Sequence, residues 1–530
     1  MQCLVLTLGH NSSAILVENG NIVCGYEEER FTGIKSDSRF PINAIKQIHQ
    51  IYSLKPNTPI CVGYWFLDGC LPEISNKYWN IEFIHDLFPK AEIMGLSQNS
   101  FTHHDSHMLS AEVFAGPEFP KDHHTLIVDG FGTAGECYST YRNGNLETSY
   151  TGFHLSVGLL YQYATKFCGM KMHEHEYKML GYETAILRLI HEDKMEELNH
   201  KIDYYPDFFD STGITFNESD LGRLYVIQNI VQAHLESLVY DYEKKLKRKL
   251  TEQDVRILVS YFVQRHVENV ISGKVAGMNP QNLIVSGGTF YNVKLNSMLR
   301  DMTPGKFCAM PLAGDQGAGL GVYQHYFADL KWPGHLYWGS RNLITSNELG
   351  IQIAETTDQG FGMVYSEIKH KGMVNLIHGN MEYGPRALCH TSTLAIPTIP
   401  NADLINHMNG RTSEMPFSLV VTKNQANDLF MNLEGIHNSL DYMIITRKFK
   451  PGKYLGLVGG AHYYPLTSEY TCRPQITHDP NMVRLLDRFG PLINTSFNYH
   501  GQPIVYDQNQ IEYAHKRENQ VYPITTVVIN

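Results

Sequence analysis

The chain has no CxxC pair, no run approaching eighteen apolar residues, and no evident repeat or low-complexity segment. The first absence excludes a cysteine-paired zinc site, and the second gives no sign of a membrane span. Nine cysteines are scattered along the chain, an odd number that reads as reduced cytoplasmic thiols, mostly small core residues. The opening MQCLVLTLGHNSSAILVENG has no basic leader and reads as a strand rather than a signal peptide. Positive charge is also short: 43 Lys and Arg face 54 Asp and Glu, a formal net charge of −11. That disfavours a broad surface for coating nucleic acid, while leaving room for a local basic groove. Only 23 prolines and 18% charged residues among 530 describe a folded globular chain, too long for one core. Two domains are expected, with the break at Trp332-Pro333-Gly334-His335, giving residues 1–335 and 336–530.

Patterning sets the expected elements. CLVLTLG is a buried strand, and SAILVENGNIVCGY reads as a hairpin around Asn19-Gly20. A helix is predicted over 41–53, a strand over Ile60–Phe66, and another helix from near His103. Thr125–Val128 is a short strand ending at Asp129-Gly130. Residues 221–273 carry apolar positions at three- and four-residue spacing, as in IVQAHLESLVYDY, and predict two long helices interrupted near Thr251.

Three features carry chemistry. In HHDSH, His103 and His107 stand four residues apart, one helix face, a spacing that a single metal ion can bridge. Asp129 at a strand end and Asp315 in GDQGAG are candidate carboxylates; two imidazoles and two carboxylates suit Fe(II), Mn(II) or Zn(II). The same histidines would equally serve as a partly exposed helix start. Second come the glycine segments IVSGGTFYNVKLN and PLAGDQGAGLG, each between an extended segment and a helix. They suit a phosphate or adenosine close to the backbone, or simple close packing, and match neither a Walker A loop nor a dinucleotide fingerprint. Third, GNMEYGPRALCHTS places Arg386 behind a Gly-Pro turn, and Arg411, Arg473 and the polar run Asn494, Thr495, Ser496, Asn498 follow. Separated arginines and short polar side chains at a strand end fit an anion and nucleotide pocket.

In order and spacing, LGHNSSAILVENG, EEERFTGIK, HHDSH, VDGFG, HEYKMLGYE, VSGGTFYNVKLN, GDQGAGLG, MEYGPRAL, RPQIT and NTSFNYHGQPIV resemble one family. It is the O-carbamoyltransferases of the nodulation-factor, cephalosporin and nebramycin type. The resemblance implies an α/β protein: an actin-like, sugar-kinase-like ATPase fold, then a YrdC-like domain. It implies ATP, Mg with the ATP, carbamoyl phosphate, a divalent metal, usually Fe(II), and sometimes a homodimer. Carbamoyl-adenylate would form in the C-terminal domain. The carbamoyl group would then pass to a hydroxyl acceptor, a small metabolite, a sugar, or a hydroxymethyl group of a modified nucleotide or DNA. By the resemblance His103, His107, Asp129 and Asp315 match the metal ligands, and His10 and Lys35 match catalytic positions. Gly287, Gly288 and Asn292 would hold adenosine, with Glu176 and Lys178 in a motif close to the metal. Arg386, Arg411, Arg473, Asn494, Ser496 and Asn498 match the carbamoyl phosphate and ATP positions.

The chain departs from that pattern in two places. Asn409 and Met415 stand where the family has Lys and Arg, and Cys389-His390 where it has Gly-Asn. Two lost cations would weaken the donor site by about 1.5–3 kcal/mol each unless replaced; Lys423, Arg447 or Lys448 are the expected replacements. Two other readings share much of this: a tRNA-directed threonylcarbamoyl transferase, and a nucleotide-binding partner protein with a decayed donor site.

Overall fold

Strand β1 (Gln2–Thr7) alternates between two cores. Leu4 and Leu6 pack with Ala44, Ile45 and Ile48 of the helix Ile42–Tyr52, whereas Cys3 and Val5 face the opposite core with Phe114 and Leu320. That double burial makes the strand continuously apolar. β1 pairs antiparallel with β2 (Ser13–Glu18), which pairs with β3 (Asn21–Glu27) through the Asn19-Gly20 turn. On its other edge β1 runs parallel to β4 (Ile60–Phe66), and β4 to β5 (Ile93–Leu96). The sheet order is β3-β2-β1-β4-β5.

This is a computed structural model, and it describes residues 1–66, 80–97, 100–152, 156–191, 195–196, 198–199, 221–340, 350–412, 415–464 and 467–529. A second sheet repeats the first. β6 (His124–Val128), β7 (Glu136–Arg142), β8 (Asn145–Thr151), β9 (Leu283–Ser286) and β10 (Phe307–Ala309) lie in the order β10-β9-β6-β7-β8. Antiparallel neighbours again lie on one side of the leading strand and parallel neighbours on the other. This duplication is invisible as sequence repetition. Between the two sheets lie two helices. His103–Ala115 packs on β6, β7 and β9, and against it lies Asp315–Phe327, which packs on β1, β4 and β5. The two long helices run Leu221–Leu246 and Glu252–Met278, with Thr251 capping the second.

The third sheet is mixed. It comprises β11 (Gln352–Ala354), β12 (Met373–His378), β13 (Thr391–Ala395), β14 (Ser418–Val421), β15 (Arg447–Lys448), β16 (His462–Tyr464), β17 (Glu469–Ile476), β18 (Leu492–Ser496) and β19 (Thr526–Ile529). The order is β11-β19-β12-β13-β18-β14-β17-β15, with β16 also on β17. Its core is continuous with that of the second sheet: Ile405, Phe417, Leu419 and Ile493 join the cluster that holds Leu126 and Leu283. Eight cysteines are buried and free, and Cys70 lies outside the described residues. No helix among the described residues is long and apolar enough to cross a membrane.

Candidate functional site

The helix His103–Ala115 starts on a capping box, with Thr102 accepting from the Asp105 amide and Asp105 accepting from that of Thr102. Tyr141 donates to the other Asp105 oxygen at 2.8 Å, so the first turn is fixed. Both imidazoles are fully buried, and their Nε2 atoms lie 3.1 Å apart. Asp129 follows β6 and directs Oδ2 at them, 3.2 Å from His103 and 3.6 Å from His107. Asp129 Oδ1 accepts from the Gly130 and Gly288 amides at 2.8 and 3.2 Å. Asp315, the first residue of its helix, brings Oδ1 to 3.3 Å from His103 and 3.7 Å from His107.

The glycines explain this convergence. A Cβ at Gly321 would lie 1.8 Å from the Ser106 carbonyl oxygen, and one at Gly319 2.9 Å from Val5. Helix Asp315–Phe327 therefore sits close against both β1 and the histidine helix, which carries Asp315 to the imidazoles. At Gly287, φ is +99° and a Cβ would meet the Val128 carbonyl at 2.3 Å. Gly287 and Gly288 thus bring backbone against the end of β6 and the Asp129 carboxylate. Asn292 caps the helix Val293–Met302 through its side-chain oxygen and donates to Gln264 at 2.8 Å.

Burial opposes charge on His103, but Asp129 and Asp315 outweigh it and push its pKa up to about 10. Burial likewise opposes ionisation of the two carboxylates, and the imidazoles hold both below the usual range. The cluster is built for positive charge at its centre. Four donors at about 2.0–2.2 Å from one ion stand roughly 3–3.6 Å from each other. The observed contacts of 3.1–3.7 Å fit that spacing. Beside the cluster, His10 places Nε2 3.7 Å from Asp315 Oδ2, and its ring lies 4.6 Å from that of His173. Glu176 accepts from the His173 amide at 2.6 Å. Lys178 is buried, which lowers its ammonium to about 8, with Arg256 adding to the effect.

A pocket between the first two sheets and the third gathers Arg386, Arg411 and Arg473, together with Asn494, Ser496 and Asn498. The Arg386 loop folds around Glu382, whose Oε1 accepts from the amides of Leu388, His390 and Thr391. It is also held from the end of β3 and the short helix Glu28–Thr32 that follows it. Glu27 accepts from the Gly384 amide at 3.2 Å and Arg30 donates to the Gly384 carbonyl at 2.9 Å. Arg411 donates to Thr495 at 2.8 Å and lies over the Phe417 ring. Each of the three arginines has a buried Nε without a partner. None forms an ion pair with a carboxylate among the described residues. Burial lowers all three pKa values, that of Arg411 to about 10, and Arg473 is lowered further by Arg386 and Arg411. Asn494 donates to Gln475 at 2.6 Å and to the Ala387 carbonyl at 3.1 Å, which braces the Arg386 loop from below. Asn498 donates to the Tyr499 and Gln502 carbonyls, both at 2.9 Å.

Asn409 and Met415 both face this pocket; Ser413 and Glu414 lie outside the described residues. The expected substitute cations do not face it. Arg447 is buried against Asp301 and Ser297, Lys448 pairs with Glu469, and Lys423 opens the helix Lys423–Leu429. Among the described residues the pocket's other lysines and arginines are Lys35, which pairs with Glu29 at 3.3 Å, and Lys294, which pairs with Glu183. Lys294 and Tyr291 were missed because they reach the pocket from the segment that follows β9, across the interface.

Two family profiles match this chain: carbamoyltransferase N-terminus over residues 76–323, and carbamoyltransferase C-terminus over 366–530. The chain belongs to the carbamoyltransferase family. An uncharacterized protein of Methanocaldococcus jannaschii, MJ1051, is 27% identical over 94% of both chains. Nodulation protein NolNO of Sinorhizobium fredii is 24% identical over 94% of this chain and 75% of its own. The 3'-hydroxymethylcephem-O-carbamoyltransferase of Amycolatopsis lactamdurans is 24% identical over 42% of this chain and 44% of its own. Among solved structures, the activator of 2-hydroxyisocaproyl-CoA dehydratase from Clostridium difficile covers 62% of the carbamoyltransferase and 95% of itself, at 11% identity and a TM-score of 0.34. That score is too low to support any inference from the likeness.

Proposed function

We propose that this carbamoyltransferase is ATP-dependent, takes carbamoyl phosphate as donor, and delivers the carbamoyl group to an acceptor hydroxyl. One observation carries the reading. Three half-buried arginines, each with a buried Nε that lacks a partner and none paired with a carboxylate among the described residues, share a pocket, and that pocket meets the His/Asp cluster through Tyr291 and Gln316. Buried positive charge costs several kcal/mol unless an anion answers it. Phosphate-bearing donors are such anions, and arginine forks match their oxygens.

In the balanced sequence, carbamoyl phosphate loses its phosphoryl group to water. The carbamate oxygen then bonds to the α-phosphorus of ATP as pyrophosphate leaves. The acceptor oxygen finally attacks the carbamoyl carbon, and AMP departs. Arg386, Arg411 and Arg473 would bind and orient the phosphates in the first two steps. Exclusion of water on donor binding would protect the mixed anhydride. In the third, His10 Nε2 would take the acceptor proton; Asp315 lies beside it at 3.7 Å. A divalent ion held by His103, His107, Asp129 and Asp315 would supply Lewis-acid stabilisation of charge on the departing phosphate. The cephem relative's name describes a hydroxymethyl acceptor, which is the class of hydroxyl proposed here.

We assign residues 1–335 to an actin-like transfer unit and 336–530 to a YrdC-like adenylating unit. The duplicated strand order supports the first assignment, and the arginine pocket on the third sheet supports the second. The test is AMP release from ATP with and without carbamoyl phosphate, repeated with Arg386→Ala. An Arg386→Ala protein that releases AMP at the wild-type rate would remove the donor site from this reading.

A further inference from the structure

Behind the loop that presents Arg386, three metal-ligating side chains converge. His378 ends β12, His390 directly precedes β13, and Asp479 caps the helix Pro480–Phe489. One ligand atom from each lies within 4.8 Å of the others. Both histidines are buried, and none of the three lines the arginine pocket.

Each donor is held by the fold. The His378 amide donates to the His390 carbonyl at 2.9 Å, which ties the two segments together. His390 Nδ1 lies 2.6 Å from the Asn380 carbonyl oxygen. A carbonyl only accepts, so this contact assigns the ring proton to Nδ1 and leaves the lone pair on Nε2. An orienting bond of this kind accompanies metal-ligating histidines. The Tyr337 ring lies parallel to His390 at 3.5 Å and fixes the imidazole plane. The His378 ring centroid is 4.2 Å from that of His390. Asp479 divides its carboxylate: Oδ1 accepts from the Asn481 and Met482 amides at 2.7 and 3.0 Å, so the cap leaves Oδ2 for another partner. Asp479 and His390 close no ion pair of their own among the described residues.

We propose that His378, His390 and Asp479 form a second cation site, for a divalent transition metal of the zinc class, that braces the back of the Arg386 loop. Two imidazoles and one carboxylate are a borderline donor set, suited to Zn(II) or Fe(II) and poorly suited to Mg(II) or Ca(II). With bonds of about 2.0–2.2 Å the three donors would stand roughly 3–3.6 Å apart, and since His390 is held, rotation of the His378 and Asp479 side chains would supply the closure. His390 is one of the residues at which this chain departs from the pattern it resembles. The proposal is independent of the carbamoyl-transfer reading and is read without ATP or donor.

The test counts metal in chelator-treated protein dialysed against micromolar Zn(II), by elemental analysis. Wild type is expected to hold two equivalents. His103→Ala/His107→Ala and, separately, His390→Asn are each expected to hold one. Asp479→Asn keeps a capping side chain and is expected to weaken the second equivalent at least tenfold. Should the first double variant fail to fold, His390→Asn in the otherwise intact protein reads the same fall from two to one. A His390→Asn protein that holds as many equivalents as wild type at unchanged affinity would overturn the proposal, whatever the His103/His107 cluster holds.

Discussion

The phenol of Tyr291 donates to the side-chain oxygen of Gln316 at 3.0 Å. Tyr291 lines the arginine pocket, and Gln316 directly follows Asp315 of the histidine cluster. The two sites therefore share a wall one hydrogen bond thick. Tyr291→Phe keeps the ring and removes that bond, worth about 1 kcal/mol net. Donor-dependent AMP formation should change little, while carbamoylated product per AMP should fall. Quantifying both species in one assay checks this, and an unchanged ratio would contradict it.

Arg473 is held well below the usual arginine range by burial and then by Arg386 and Arg411. A base whose pKa falls on folding subtracts stability at every pH where the unfolded chain is charged. Arg473→Met should therefore raise the Tm of the ligand-free protein while weakening donor binding about 10–100-fold, the effect of one charge-bearing hydrogen bond. Inorganic phosphate should raise the wild-type Tm and not the variant's. Thermal melts with and without phosphate read both effects.

Gly321→Ala addresses the histidine cluster from a distance. The added Cβ would fall 1.8 Å from the Ser106 carbonyl oxygen, so the two central helices must separate. Asp315 would move away from His103 and His107. Metal affinity at that cluster should drop at least tenfold, whereas Gly273→Ala, in open space, should leave it unchanged. Equal affinities in the two variants would show that helix packing does not position Asp315.

These glycines show where the sequence was readable and where it was not. Local periodicity announced the histidine pair: His103 and His107 are four apart in HHDSH and share a helix face. The strand at Ile60–Phe66, the Asn19-Gly20 hairpin and the break at Thr251 were legible for the same reason. GDQGAGLG left two uses open, anion cradle or close packing, and Gly317, Gly319 and Gly321 serve packing, since a Cβ at each would strike backbone or side chain. Lys294 and Tyr291 carried no signal because their role depends on a contact between distant parts of the chain. The duplicated strand order was equally hidden: pairing direction and register leave no repeated residues when each strand packs against different neighbours.

Glu518 provides a pH test. Burial raises its carboxyl to about 8, and the Asn375 amide only partly offsets this. The folded protein thus keeps a proton that the unfolded chain releases above the ordinary value of 4.5. Its contribution to stability falls as pH rises from 4.5 to about 8 and is level beyond. Glu518→Gln removes that dependence, so the Tm difference, variant minus wild type, should grow between pH 5 and pH 8.5, by roughly a few degrees. A constant offset across that range would contradict the assignment.

The most direct test of the central claim is AMP release from ATP, measured with and without carbamoyl phosphate before any acceptor is supplied. AMP that appears only with carbamoyl phosphate, and disappears in Arg386→Ala, is the expected result. AMP release indifferent to carbamoyl phosphate, or none at all when candidate hydroxyl acceptors are also present, would contradict the adenylating role given to the arginine pocket.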